Sequence, residues 1–233
     1  RYVESIPLAP IQTAHGKNRT KLHESIQEQC GQELIPEAFT IGFARRATEY
    51  KRAALILSNP EQLLQLAHDH GGLNIVFAGK AFHEDQAGRD IIKRIIELDN
   101  QYSDHYLRIV YLADYDMDMA HNLVSGVDVW LNTPRVSYEA SGTSGMKACL
   151  NGVPNISMND GWWIEGGIHS VNGWTIQGFS EQAEIESMYQ NIQEALTIFT
   201  EHPEDWARKQ RAAISLVASH FNTHRMVMEY DQK

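Results

Sequence analysis

Five short runs of the 233-residue chain are apolar at nearly every position: AFTIGFA (38 to 44), NIVFAG (74 to 79), LRIVYLA (107 to 113), VDVWLN (127 to 132) and VPNISM (153 to 158). A strand wetted on one face alternates apolar and polar residues, so these unbroken runs predict strands buried on both faces. Between them, residues 47 to 57, 60 to 70, 87 to 98, 117 to 125 and 143 to 151 read as helices. Strand and helix in alternation, joined by short loops, imply parallel strands with right-handed crossovers, hence a doubly wound, Rossmann-like α/β sheet. Beyond Glu181 the pattern is helical throughout, over 181 to 200, 204 to 219 and 222 to 230, with Pro203 at a helix start. Residues 1 to 19 show no clear periodicity and read as a linker, followed by a helix from Lys21 to about Cys30.

Composition changes this picture little. Hydrophobic residues at 42% and charged residues at 21% are ordinary for a globular chain. Thirty acidic against 20 basic side chains give a formal charge of −10, which repels a phosphate backbone and argues against a nucleic-acid partner. Cys30 and Cys149 are far apart and lack the close pairing of zinc or dithiol sites, which fits a reducing cytoplasm and no metal. No apolar run approaches the ~20 residues that span a bilayer, so no membrane association is expected. The first residue is not methionine, which suggests a piece of something longer.

Doubly wound sheets bind ligands beyond the carboxyl ends of their strands. The residues placed there are Arg45 and Arg46, then Gly79 and Lys80, then Asp114 and Tyr115, and finally Glu139 to Lys147. In ARRATEYKR four cations fall within eight positions, 45 to 52, of a chain that is acidic overall. Guanidinium forks and an ammonium there would converge on an anion; the plainer alternative is a solvated helix start partly neutralised by Glu49. In YEASGTSGMKACLNG, the glycines and hydroxyls from Ser141 to Gly145 lead into the helix at 143, where successive backbone N–H groups form an anion-receptive concavity. Lys147 lies one turn in. Packed among Met146, Leu150 and the sheet it would lose hydration and become a nucleophilic amine able to form a Schiff base, whereas an exposed helix lysine is the simpler reading.

These residues carry a family resemblance. EASGTSGMKACLNG with the following DGWW, the upstream GFARRATEYKR and the intervening IVFAGKA resemble, in the same order, the carboxy-terminal domain of α-glucan (glycogen, starch or maltodextrin) phosphorylases, and FNTHRMVMEY at the end resembles that family too. The resemblance implies one half of a two-domain GT-B glycosyltransferase architecture, with the amino-terminal domain lacking from this chain. It implies pyridoxal 5'-phosphate held by Lys147, with Thr143, Ser144, Gly145, Arg45, Lys51 and Tyr115 around the cofactor. Arg46 and Lys51 match residues at the substrate and cofactor phosphates, and Glu139, Ala140, Ser141 and Gly142 match the stretch that bonds glucosyl hydroxyls. The implied reaction is the reversible phosphorolysis of α-1,4-glucan by inorganic phosphate to glucose 1-phosphate, in the cytoplasm, with Arg46, Lys51 and Lys147 as the catalytic set. Without its other half the chain is expected to be nearly inactive.

Three departures stand out: Thr48 where animal-type members have histidine, Ala113 where many have a carboxylate, and the loop GGIHSVNG at 166 to 173. Two rivals remain open. In nucleotide-sugar enzymes such as glycogen synthases a second glutamate often follows the first by eight positions, and that position here is Lys147. A non-catalytic module binding only cofactor or glucan is the other. Trp162 and Trp163 could equally stack on sugar or cap the core. His68 and His70, two apart on a helix, diverge too far to clamp a metal. Ser144 has no histidine base placed for it.

Overall fold

The computed structural model describes residues 3–232. Six strands, β1 (Phe39–Ala44), β2 (Leu73–Ala78), β3 (Leu107–Leu112), β4 (Val129–Asn132), β5 (Asn155–Met158) and β6 (Gly173–Ile176), make one sheet in the order β3-β2-β1-β4-β5-β6. Every pairing is parallel. β1, β2, β4 and β5 are buried at every position, as unbroken apolar runs require; the edge strand β3 leaves Arg108 and Tyr111 half-buried.

The chain walks outward from β1 to β3 and then returns to lay β4 on the other side of β1. The two crossovers part there, opening a crevice beyond the carboxyl ends of β1 and β4. On one face of the sheet α2 (Pro60–Asp69), α3 (Gln86–Tyr102) and α7 (Glu181–Glu201) bury Leu63, Leu66, Ile95, Leu98, Met188 and Ile192 against Ile41, Phe43, Ile75 and Phe77. On the other, α1 (Leu8–Cys30), α4 (Met117–Gly126) and α5 (Thr143–Leu150) bury Leu22, Ile26, Leu123 and Ala148 against Val76, Val110 and Trp130. Each large apolar side chain removed from water contributes about 1.5–3 kcal/mol, so the two layers hold the sheet between them. A short α6 (Trp163–Gly166) precedes β6, and the tail continues through α8 (Pro203–His220) and α9 (Thr223–Asp231).

Three expectations are corrected. The linker expected over 1 to 19 is helical from Leu8 onward, part of a 23-residue α1. Pro10 falls in its first turn, where proline is tolerated, and the buried stripe Ile11, His15, Leu22, Ile26 includes a histidine that disguises the periodicity. The helix expected over 47 to 57 is two short 3-10 turns, Glu49–Lys51 and Ala53–Leu57, because Arg52 between them adopts a left-handed conformation at φ 50°. Finally, β6 is a sixth strand; four residues in a glycine-rich stretch give too short a pattern to read.

Candidate active site at the sheet switch point

Arg45 continues β1 into the loop, its N–H donating to the Ala78 carbonyl at 3.0 Å. The opposing residue must be glycine. At Gly79 φ is +138°, and a Cβ there would lie 1.9 Å from the Arg45 carbonyl oxygen. The Tyr111 hydroxyl donates to the Gly79 carbonyl at 2.6 Å and fixes this corner. Lys51 closes the first 3-10 turn and is buried. It is held there by Thr133, whose hydroxyl donates to the Lys51 and Arg52 carbonyls at 3.1 Å each. The Arg52 guanidinium donates in turn to the Thr133 and Pro134 carbonyls and pairs with Glu184 of α7. The loops after β1 and β4 are therefore tied to each other.

Glu139 arrives on the loop after β4. Its Oε2 lies 3.0 Å from Arg45 Nη1 and also accepts from Lys51 Nζ. All three side chains are nearly buried, the cations 8% exposed and the carboxylate 13%. The backbone under Glu139 is set from β5: Asp160 accepts from the Glu139 N–H at 3.0 Å, and the Trp162 N–H donates to the Ser141 carbonyl at 2.9 Å. Gly161 between them, at φ +56°, admits no side chain, since a Cβ would lie 2.5 Å from the Ser141 carbonyl oxygen. Next, α5 starts at Thr143. Asn155 bridges strand and helix, accepting from Asn132 at 3.0 Å and donating to the Gly145 carbonyl at 3.2 Å.

The structure thus brings together Arg45, Lys51 and Glu139, with Gly142 against them: a Cβ on Gly142 would lie 3.2 Å from Arg45 Nη2. It does not bring Arg46 to the same seat. Arg46 is exposed and lies over the Phe82 ring at 5.7 Å. Glu49, expected to neutralise the cluster, pairs with Arg135. Ala140, Ser141 and Thr143 are exposed; Gly145 is buried; Ser144 is half-buried, and its hydroxyl oxygen is enclosed without a hydrogen-bond partner. Tyr115 is half-buried beside the α1–α4 layer, where burial pushes its hydroxyl above the ordinary tyrosine range.

For Lys147 the structure decides between the two readings left open. Helix α5 turns Gly145, Ala148 and Cys149 inward and leaves Lys147 exposed among the described residues. The amine is accessible. Cys149 is fully enclosed and burial pushes its thiol far up, which leaves it a packing residue. Trp162 and Trp163, 4% and 1% exposed, pack with Cys149, Ala213, Val217 and Phe221 and cap the core. The sequence reading missed the holding roles of Asp160 and Arg52. An Asp-Gly turn directly after an apolar run was the signal for the first; the second had none.

A family model described as "Carbohydrate phosphorylase" matches residues 8–228. The chain belongs to the carbohydrate phosphorylase family. It is 40% identical to a maltodextrin phosphorylase of Thermococcus litoralis and 34% identical to a glycogen phosphorylase of Aquifex aeolicus, in each case over 99% of this chain. A glycogen phosphorylase of Mycobacterium tuberculosis is 35% identical over 84% of it. As a phosphorylase-family chain it is short: it spans 30%, 37% and 24% of the lengths of those three relatives.

Proposed function

We propose that residues 1–233 are the cofactor- and phosphate-binding half of an α-1,4-glucan phosphorylase of GT-B architecture. The remaining length seen in the relatives supplies the amino-terminal domain. The observation that carries this reading is the convergence of two buried cations, Arg45 and Lys51, on one carboxylate oxygen at the switch point of the sheet. Two buried cations that share one carboxylate oxygen are under-coordinated, and a phosphate group, with several oxygens, is the anion that completes them.

Pyridoxal 5'-phosphate fits the residues present. Its phosphate would meet Arg45, Lys51, the enclosed and unpartnered Ser144 hydroxyl and the N–H groups at the start of α5. Its aldehyde would meet the accessible amine of Lys147, and Tyr115, beyond the end of β3, is the aromatic assigned to the cofactor. When bound, the cofactor supplies a phosphate that exchanges protons near neutral pH.

The chain's own residues do the rest. Arg45 and Lys51 offset the repulsion of phosphate groups gathered in one pocket, so charge developing on the reacting phosphate is met by fixed counter-charge. Arg46, exposed on the same loop over the Phe82 ring, is the residue assigned to inorganic phosphate. Glu139 accepts from glucosyl hydroxyls, and the backbone of Ala140, Ser141 and Gly142 fixes the ring against the seat, turning an encounter into an oriented pair. The products are glucose 1-phosphate and a shortened glucan. The cytoplasm is the proposed location; among the described residues no helix is long and apolar enough to cross a membrane.

The synthase-like reading places a second carboxylate where Lys147 stands, and that replacement counts against it. Borohydride reduction of the chain loaded with pyridoxal 5'-phosphate, followed by peptide mapping, tests the assignment. The pyridoxyl label is expected on Lys147 and is lost in Lys147→Ala. Label on another lysine, or none, refutes it. Glucose 1-phosphate released from glycogen by the chain alone should be close to background, since the other half of the cleft is missing.

A further inference from the structure

Arg45 Nη1 and Lys51 Nζ contact the same oxygen of Glu139, Oε2. Two nearly buried cations are therefore set against a single carboxylate oxygen. The other buried carboxylate at this rim, Asp160, is engaged by the Glu139 backbone N–H and forms no ion pair among the described residues. Arg45 Nη1, although 3.0 Å from Glu139, sits at an angle that makes no hydrogen bond, so the seat is held by charge rather than by matched geometry. A phosphate dianion would serve better on both counts. It brings two charges to two cations, and its oxygens reach in several directions at once.

Glu139 can yield that seat cheaply. Its backbone is anchored to Asp160 and, two residues on, the Ser141 carbonyl is anchored to the Trp162 N–H. Only side-chain torsions need to change for the carboxylate to leave the cations. A carboxylate released inside a half-closed rim needs new donors, and sugar hydroxyls are the donors the substrate class provides.

We propose that Glu139 is an internal anion that occupies the phosphate seat between Arg45 and Lys51, and that a phosphate group entering the seat, the cofactor's or, in the cofactor-free chain, inorganic phosphate, displaces it into the position where it accepts from a glucosyl hydroxyl. This rests on the rim being a phosphate site. Phosphate and sugar binding are then coupled through one carboxylate, and the coupling is reciprocal.

The test is calorimetric titration of the cofactor-free chain with inorganic phosphate and with maltose. Glu139→Gln is expected to bind phosphate about tenfold more tightly than the unaltered chain, a factor within the usual range of coupling between sites. Lys51→Met is expected to weaken phosphate binding, and in the double variant the gain from Glu139→Gln shrinks because the two residues share one seat. Circular dichroism melts establish that each variant is folded; should Glu139→Gln not fold, Glu139→Asp, whose shorter stem retracts the carboxylate, is expected to tighten phosphate binding by a smaller factor. In the unaltered chain, saturating phosphate is expected to raise maltose affinity several-fold, which needs no variant. Folded Glu139→Gln with unchanged or weaker phosphate affinity, or maltose affinity indifferent to phosphate, overturns the proposal while leaving the phosphate site standing. A chain that binds no phosphate, or binds it equally with Lys51→Met, overturns the site and the proposal together.

Discussion

The two ends of the same pair of strands each bury a carboxylate among cations, and they do so differently. At the amino-terminal end Asp128, fully enclosed, accepts from the Thr40 N–H at 2.8 Å with one oxygen and meets His15 Nε2 at 3.0 Å with the other, while Arg19 Nε stands 3.6 Å away. Arg19 also donates to the Ala38 carbonyl at 2.9 Å and lies over the Phe199 ring. Both oxygens are committed, and every partner belongs to β1, the segment leading into it, or α1. At the carboxyl end Glu139 uses one oxygen for two cations and sits on a loop. The first arrangement locks a helix to the sheet; the second leaves charge over for a ligand. The contrast follows from topology, because α1 covers the first end while the parting crossovers keep the second open.

The comparison breaks most sharply at Asp128. Asp128→Ala leaves the nearly buried Arg19 with only the exposed Glu37, 3.8 Å away, as counter-charge and is expected to cost roughly 3 kcal/mol in urea unfolding, with phosphate affinity of the folded protein little changed. A comparable loss of phosphate binding would show that the two ends are not separate. Gly79→Ala acts at the open end through the backbone. The left-handed φ and the approach to the Arg45 carbonyl predict a destabilisation of about 2–3 kcal/mol together with weakened phosphate binding, because Arg45 must shift. Stability lost without any effect on phosphate would remove Arg45 from the seat.

The smallest effect concerns pH. His23, on α1 near the sealed end, is held below its ordinary value of 6.5 by burial first and by Arg19 second, against the opposing pull of Asp128 and Glu37. A lowered folded pKa means that the unfolded chain binds the proton more readily, so this contribution is present above about pH 6.5 and is lost as pH falls through the folded value. Unfolding free energy measured from pH 7.5 down to about 5 is expected to fall more steeply for the unaltered chain than for His23→Gln. Identical slopes would assign the acid sensitivity elsewhere.

Much of this molecule was legible in one dimension. Runs buried on both faces specify a parallel sheet because only crossover helices can cover both sides, and five of six strands followed from that alone. Glycines beside hydroxyls and lysine marked the rim because few other uses exist for that mixture. Residues 8 to 19 were not legible as helix, since a stripe position is filled by His15, whose partner Asp128 lies 113 positions away. Nor was the conformation at Arg52, which draws on carbonyls 81 and 82 residues along the chain and on Glu184.

The sequence by itself determined the sheet, its helical cover and the family to which the chain belongs, because periodicity and local motifs are properties of neighbours along the chain. Only the tertiary structure decided that Lys51 and Arg45 meet at a single oxygen of Glu139 while Arg46 stays outside, that Lys147 is exposed, and that the two tryptophans belong to the core. Those outcomes depend on which loops the switch in strand order brings together, and on how each helix is rotated against the sheet. Neither is a local property of the chain.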